Sequence, residues 1–103
     1  MAGDRLLEGK VAMITGAGRG IGRDYALAFA AAGAKVLVND LGGTTQGEGE
    51  DRIPALEVAK EIEDAGGKAV VNFDSVSDFK AAQGMVDQCK EELGGLDIVV
   101  NNA

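Results

Sequence analysis

The feature that most constrains this chain is a glycine cluster at a junction between two hydrophobic patterns. Val11-Ala12-Met13-Ile14-Thr15 is a short, mostly apolar run, as a strand reads when both sheet faces are covered. It stops at Gly16-Ala17-Gly18-Arg19-Gly20-Ile21-Gly22. Beyond the glycines the apolar residues change spacing to Ile21, Tyr25, Ala28, Phe29 and Ala32, a helical stripe that Gly33 ends. A buried strand that turns through glycines into a helix is the opening of a βαβ unit.

The same alternation continues. Lys35-Val36-Leu37-Val38-Asn39 reads as a second strand, followed by a glycine-rich, acidic surface loop from Leu41 to Arg52. Pro54 suits the first turn of a second helix, with Ala55, Val58, Ala59, Ile62 and Ala65 on one face and Gly66-Gly67 after it. Ala69 to Phe73 forms a third strand. Asp78 is placed to cap a third helix, with a stripe through Ala82, Met85, Val86, Cys89 and Leu93 that Gly94-Gly95 breaks. Leu96 to Val100 completes a fourth strand. This order predicts an α/β chain: a doubly wound parallel sheet with right-handed crossovers, represented by its β-α-β-α-β-α-β portion. The first two helices should lie on one face and the third on the other, with Val99 and Val100 in an exposed edge strand.

Composition narrows the chemistry. At 103 residues and 46% apolar content the chain fits one globular domain or part of one. Its formal charge of -7 opposes nucleic acid and anionic membrane surfaces. The absence of histidine removes imidazole-based catalysis and zinc binding, and the single Cys89, on a buried stripe, reads as an inert core thiol. No apolar run reaches the roughly 18 residues of a membrane span, so a soluble, cytoplasmic protein is the expectation.

The glycine loop carries the functional signal. Backbone N–H groups and the dipole of the following helix favour a bound phosphate there. The spacing through Gly16, Gly20 and Gly22 differs from Gly-x-Gly-x-x-Gly, because Ile21 stands at the third glycine's place, and no Lys-Ser or Lys-Thr pair makes it a P-loop. Asp40 ends the second strand, about 20 residues beyond Gly20, where an acid accepts hydrogen bonds from an adenosine ribose. Its charge repels a 2′-phosphate and so favours NAD over NADP, while Arg19 partly offsets that repulsion.

Thr15-Gly16-Ala17-Gly18-Arg19-Gly20-Ile21-Gly22 resembles the Thr-Gly-x-x-x-Gly-Ile-Gly signature of the short-chain dehydrogenase/reductase family, and Asn101-Asn102-Ala103 resembles its Asn-Asn-Ala-Gly motif. The resemblance covers the whole chain but under half of a typical member, which implies the N-terminal, dinucleotide-binding part (residues 1–103) of a Rossmann-type domain. Val38-Asn39-Asp40-Leu41-Gly42-Gly43 and Asp74-Ser75-Val76 are similar to the (3R)-hydroxyacyl-CoA dehydrogenase unit of multifunctional β-oxidation enzymes. By that resemblance Asp74 binds the adenine amino group, Ser75 and Val76 flank the ring, and Asn101, Asn102 and Ala103 line the cofactor ribose.

The family's Ser and Tyr-x-x-x-Lys are missing, since the only tyrosine is Tyr25 and Phe29 stands four positions on. Tyr25, on the apolar stripe, is expected in the core. The expected role is thus the cofactor-binding half of an oxidoreductase, inactive alone, with small-molecule substrate and homo-oligomeric association belonging to the complete protein. A peroxisomal address would lie at a later C-terminus. The alternatives are a non-catalytic nucleotide-binding module or a structural remnant.

Overall fold

A strand covered on both faces must be apolar along its whole length, and Val11–Ile14 (β1) is buried at every position. The computed structural model describes residues 6–40, 53–74 and 79–102. In chain order the elements are β1, α1 (Gly20–Ala31), β2 (Lys35–Asn39), α2 (Ile53–Asp64), β3 (Ala69–Asn72), α3 (Phe79–Gln88), a π-helical turn (Cys89–Leu93) and β4 (Ile98–Val100). All strand pairs are parallel and the sheet order is β3-β2-β1-β4. The expected parallel α/β sheet is therefore present. The segment 41–52 and the helix cap at Asp78 lie outside the described residues.

Strand alternation divides the core. Ile14, Val36 and Val38 face α1 and α2, where they pack with Ala26, Ala55, Val58 and Ile62. Val11, Met13 and Leu37 point the other way, against Met85, Cys89 and Leu93. Two helices on one face and the third on the other is the expected layering, and it follows from right-handed crossovers that first run outward to β3 and then return past β1. Burying each large side chain contributes about 1.5–3 kcal/mol. The Arg23–Glu61 pair joins α1 to α2 at 2.6 Å, but its side chains are 40% and 48% exposed, so packing dominates that contact.

The stripe expected on α1 is corrected by the structure. Ile21 is 63% and Tyr25 42% exposed, so Tyr25 is not a core residue; its ring lies 6.4 Å from that of Phe29. The buried positions are Gly22 and Ala26, one residue round the helix from the stripe. The reason is close approach: a Cβ on Gly22 would overlap the Gly16 carbonyl and lie 2.6 Å from the Asn102 amide nitrogen. Gly22 and Ala26 therefore face the sheet and Ile21 and Tyr25 turn outward, while Leu27 and Phe29 pack at the edge of the core.

Smaller differences have local causes. Thr15 falls in the turn that follows β1, Phe73 and Leu96 lie just outside β3 and β4, and Ala65 is exposed beyond the end of α2. At the start of β4, Asp97 takes the place of a ladder residue: its carboxylate accepts the Val11 N–H at 2.9 Å, and its own N–H donates to the Val11 carbonyl at 2.8 Å. The glycine stop after Leu93 holds, with Gly94 in the left-handed region at φ 90°. Val99 is 56% exposed on β4, as expected of an edge strand. Among the described residues no helix is long and apolar enough to cross a membrane.

Two predictions test this packing. Gly22→Ala should destabilise the protein by about 1–3 kcal/mol through overpacking, whereas Gly84→Ala, in open space on α3, should stabilise it by about 0.5–1 kcal/mol; urea denaturation of both variants reads the contrast. Burial, reinforced by the Glu92 charge, raises the Cys89 thiol from 9.0 to about 11. Its contribution to stability is therefore full below the unfolded value of 9.0 and is lost as pH rises through about 11. The urea midpoint should fall over that window more steeply for the native sequence than for Cys89→Ala.

Candidate functional site

The carboxyl ends of the four strands meet where the strand order reverses, since β2 and β3 leave β1 on one side and β4 joins it on the other. A crevice at such a reversal is where open α/β sheets bind ligands. Thr15, just past β1, ties its two walls together. Its N–H donates to the Val100 carbonyl at 3.0 Å and its Oγ1 accepts the Asn102 N–H at 2.8 Å. The hydroxyl proton has the Asn101 Oδ1 at 3.2 Å and the Val100 carbonyl at 3.4 Å as acceptors. Asn102 Nδ2 donates to the Gly16 carbonyl at 3.4 Å, so the chain after β4 is fastened to the glycine loop after β1.

That loop delivers a helix start. Arg19 is the N-cap of α1, in extended conformation and without a side-chain cap bond, and no acidic residue occupies the first turn. First-turn N–H groups have no partner within a helix, and they form the positive end of its dipole. Gly20 and Ile21 are exposed at this turn. The arrangement suits an anionic oxygen.

Asp40 flanks the loop from the end of β2. A Cβ on Gly18 would overlap its carboxylate and come within 3.2 Å of the Ala55 nitrogen, so the glycine is what allows the acid to lie against the loop. The Ala17 N–H, donating to the Asn39 carbonyl at 2.8 Å, holds the loop over β2. The Asp40 N–H in turn donates to the Asn72 carbonyl at 3.0 Å, continuing the edge to β3.

Asp74 stands at the far end of this edge, exposed, two residues beyond β3. Its N–H donates to Asn72 Oδ1 at 2.9 Å, and its Oδ2 accepts from Asn72 Nδ2 at 3.1 Å. Asn39 Nδ2 reaches both Asn72 Oδ1, at 2.9 Å, and the Asp74 carbonyl, at 3.0 Å. Gln88, the last residue of α3, accepts from Asn72 Nδ2 at 3.0 Å and donates to the Val71 carbonyl at 3.1 Å.

The structure thus brings Gly16, Gly18 and Arg19 of the loop together with Gly20, Ile21 and Gly22 of the first turn of α1, with Asn101 and Asn102 bonded to the base of the loop and Asp40 against its middle. Asp74 reaches the same strand edge through the asparagine network, and Ser75, Val76 and Ala103 lie outside the described residues. Sequence reasoning missed Thr15 as a hub and the trio Asn39, Asn72 and Gln88. A usable signal was present: Asn39 and Asn72 close two apolar strands at paired register positions, where a buried amide needs a partner.

Comparison with known proteins agrees with this geometry. The family model described as short chain dehydrogenase matches residues 10–103. Peroxisomal multifunctional enzyme A of Dictyostelium discoideum is 51% identical over 94 residues, covering 91% of this chain and 21% of that protein. Peroxisomal multifunctional enzyme type 2 of Mus musculus is 48% identical over 103 residues, covering 100% of this chain and 14% of its own length. The chain therefore spans about a seventh to a fifth of these relatives. Among solved structures, carveol dehydrogenase from Mycobacterium avium in complex with NAD superposes with a TM-score of 0.85 at 36% identity, covering 94% of this chain and 36% of that one. With the glycine loop, the parallel sheet and the strand-end asparagines all in place, the chain belongs to the short chain dehydrogenase family.

Proposed function

We propose that this chain is the NAD-binding half of an oxidoreductase that moves a hydride between a nicotinamide dinucleotide and an alcohol/carbonyl pair. The observation that carries the reading is the Asp40 carboxylate lying against Gly18 beside the uncapped start of α1. Pyrophosphate oxygens fit the first-turn N–H groups of Gly20, Ile21 and Gly22, and ribose hydroxyls fit an acceptor carboxylate one loop-width away. A solved relative that carries NAD supports the same class of cofactor.

In this reading residues 1–103 form one dinucleotide-binding unit. Asp74 accepts from the adenine amino group, with Ser75 and Val76 beside the ring. Asn101 and Asn102, which the Thr15 hydroxyl holds, line the cofactor ribose together with Ala103. Arg19 lies at the loop's rim and softens the repulsion of a 2′-phosphate by Asp40, which leaves NAD preferred over NADP. When bound, the cofactor supplies the hydride chemistry; the residues of this chain grip and orient it. Proton transfer requires the family's serine, tyrosine and lysine, which this sequence lacks, so the reaction belongs to the complete protein. The names of the multifunctional-enzyme relatives and the Val38–Gly43 and Asp74–Val76 resemblance support a 3-hydroxyacyl-CoA as its substrate.

Calorimetric and thermal-shift titration of the native protein tests the proposal. NAD at about 100 times its Kd should stabilise the fold by about 2.7 kcal/mol, and NADP should bind about tenfold more weakly. Asp40→Ser should narrow that preference, because it removes the repelling charge. No stabilisation by either dinucleotide would overturn the reading.

A further inference from the structure

We propose that Asn72 is a positioning residue that holds the Asp74 carboxylate in one orientation, and that this makes the site selective for a 6-amino purine. The inference rests on the reading of Asp74 as the adenine acceptor and assigns that selectivity to a residue beneath it.

Asn72 is 9% exposed, and its carboxamide uses its whole hydrogen-bonding capacity. Oδ1 accepts from Asn39 Nδ2 at 2.9 Å and from the Asp74 N–H at 2.9 Å. Nδ2 donates to Asp74 Oδ2 at 3.1 Å and to Gln88 Oε1 at 3.0 Å. An amide has two acceptor sites and two donor protons, so none remains. The orientation of the amide is determined as well. Turning it over would set Nδ2 against the Asn39 Nδ2 and the Asp74 N–H, donor against donor, and Oδ1 against the Asp74 carboxylate. Three elements thereby specify which end of Asn72 faces Asp74: β2 through Asn39, α3 through Gln88, and the segment after β3 through its own backbone.

The consequence falls on Asp74. An exposed aspartate normally samples several rotamers and can follow whatever donor a ligand presents. Here one oxygen is tied by Asn72, in a ring closed by the Asp74 N–H on the same side chain. The carboxylate keeps acceptor capacity, but the tether sets its orientation. A fixed acceptor matches the amino group at purine position 6. Hypoxanthine puts a carbonyl oxygen there and moves its nearest donor to N1, which an untethered carboxylate could pivot to reach and a tethered one could not. Discrimination between the bases therefore depends on the tether.

The test compares the Kd of NAD with that of nicotinamide hypoxanthine dinucleotide, by calorimetry on the native protein and on Asn72→Ala. The native protein should favour NAD about tenfold, the size expected for one hydrogen bond to a charged group. Asn72→Ala should narrow the ratio to about two while keeping, or improving, its affinity for the hypoxanthine form. General damage to the fold would weaken both dinucleotides together and leave the ratio unchanged, and that result overturns the proposal. Should Asn72→Ala not fold, Gln88→Met removes only the outer bond to the amide and should narrow the ratio about threefold; an unchanged ratio is again contrary. A native protein that binds both dinucleotides equally would refute the adenine assignment of Asp74 and this proposal with it. Failure to bind either would refute the dinucleotide reading itself.

Discussion

β1 is sealed on both sides. Ala12 and Ile14 are fully buried, Ile14 against α1 and α2, and Val11 and Met13 are nearly so toward α3 and the π-helical turn. A strand placed this way leaves its carboxyl end only one exit, into the turn at Thr15. From there the chain must rise, bend back and start α1 over β2. The Ala17-to-Asn39 bond and the glycine contact between Gly22 and the Gly16 carbonyl keep that path short. The position of the candidate site thus depends on the burial of the strand beneath it.

Polar groups at the strand ends convert this packing into a shaped edge. Asn39 is 2% exposed and would be costly to bury unpaired. Its partners are Asn72 and the Asp74 backbone, and Asn72 passes the connection to Gln88. Among the described residues no buried side-chain nitrogen or oxygen lacks a hydrogen-bond partner. A satisfied network of this kind adds little net free energy per bond, about 0.5–1.5 kcal/mol, but leaving one member unmatched costs more than that. The result is a rigid rim: Thr15, Asn101 and Asn102 on the β4 side, Asn39, Asn72 and Asp74 on the other, with the glycine loop between them.

What was legible in the sequence was whatever repeats along the chain. The strand and helix order, the reversal at β1 and the layering came from apolar spacing and glycine punctuation. The loop residues and Asp40 came from motif spacing. What escaped lies in close contacts between distant segments. On α1 the bulky residues Ile21 and Tyr25 suggested the wrong face, because a hydrophobic stripe weights size, whereas the contact with the sheet selects Gly22 and Ala26 for their smallness. Thr15 read as the end of a strand; its hydroxyl matters only once β4 has come alongside. Asn39 and Asn72 are 33 residues apart and meet only through the register of β2 with β3.

The central claim is that the carboxyl edge between β1, β2 and β4 forms a single dinucleotide-binding surface. Backbone amide NMR of the native protein during titration with NAD tests it residue by residue. The account predicts the largest chemical-shift changes at Gly18 to Gly22, Asp40, Asp74 and Asn102, with the groove lined by Leu56, Val70 and Glu92 undisturbed. Changes centred on that groove, or none at the glycine loop, would contradict it.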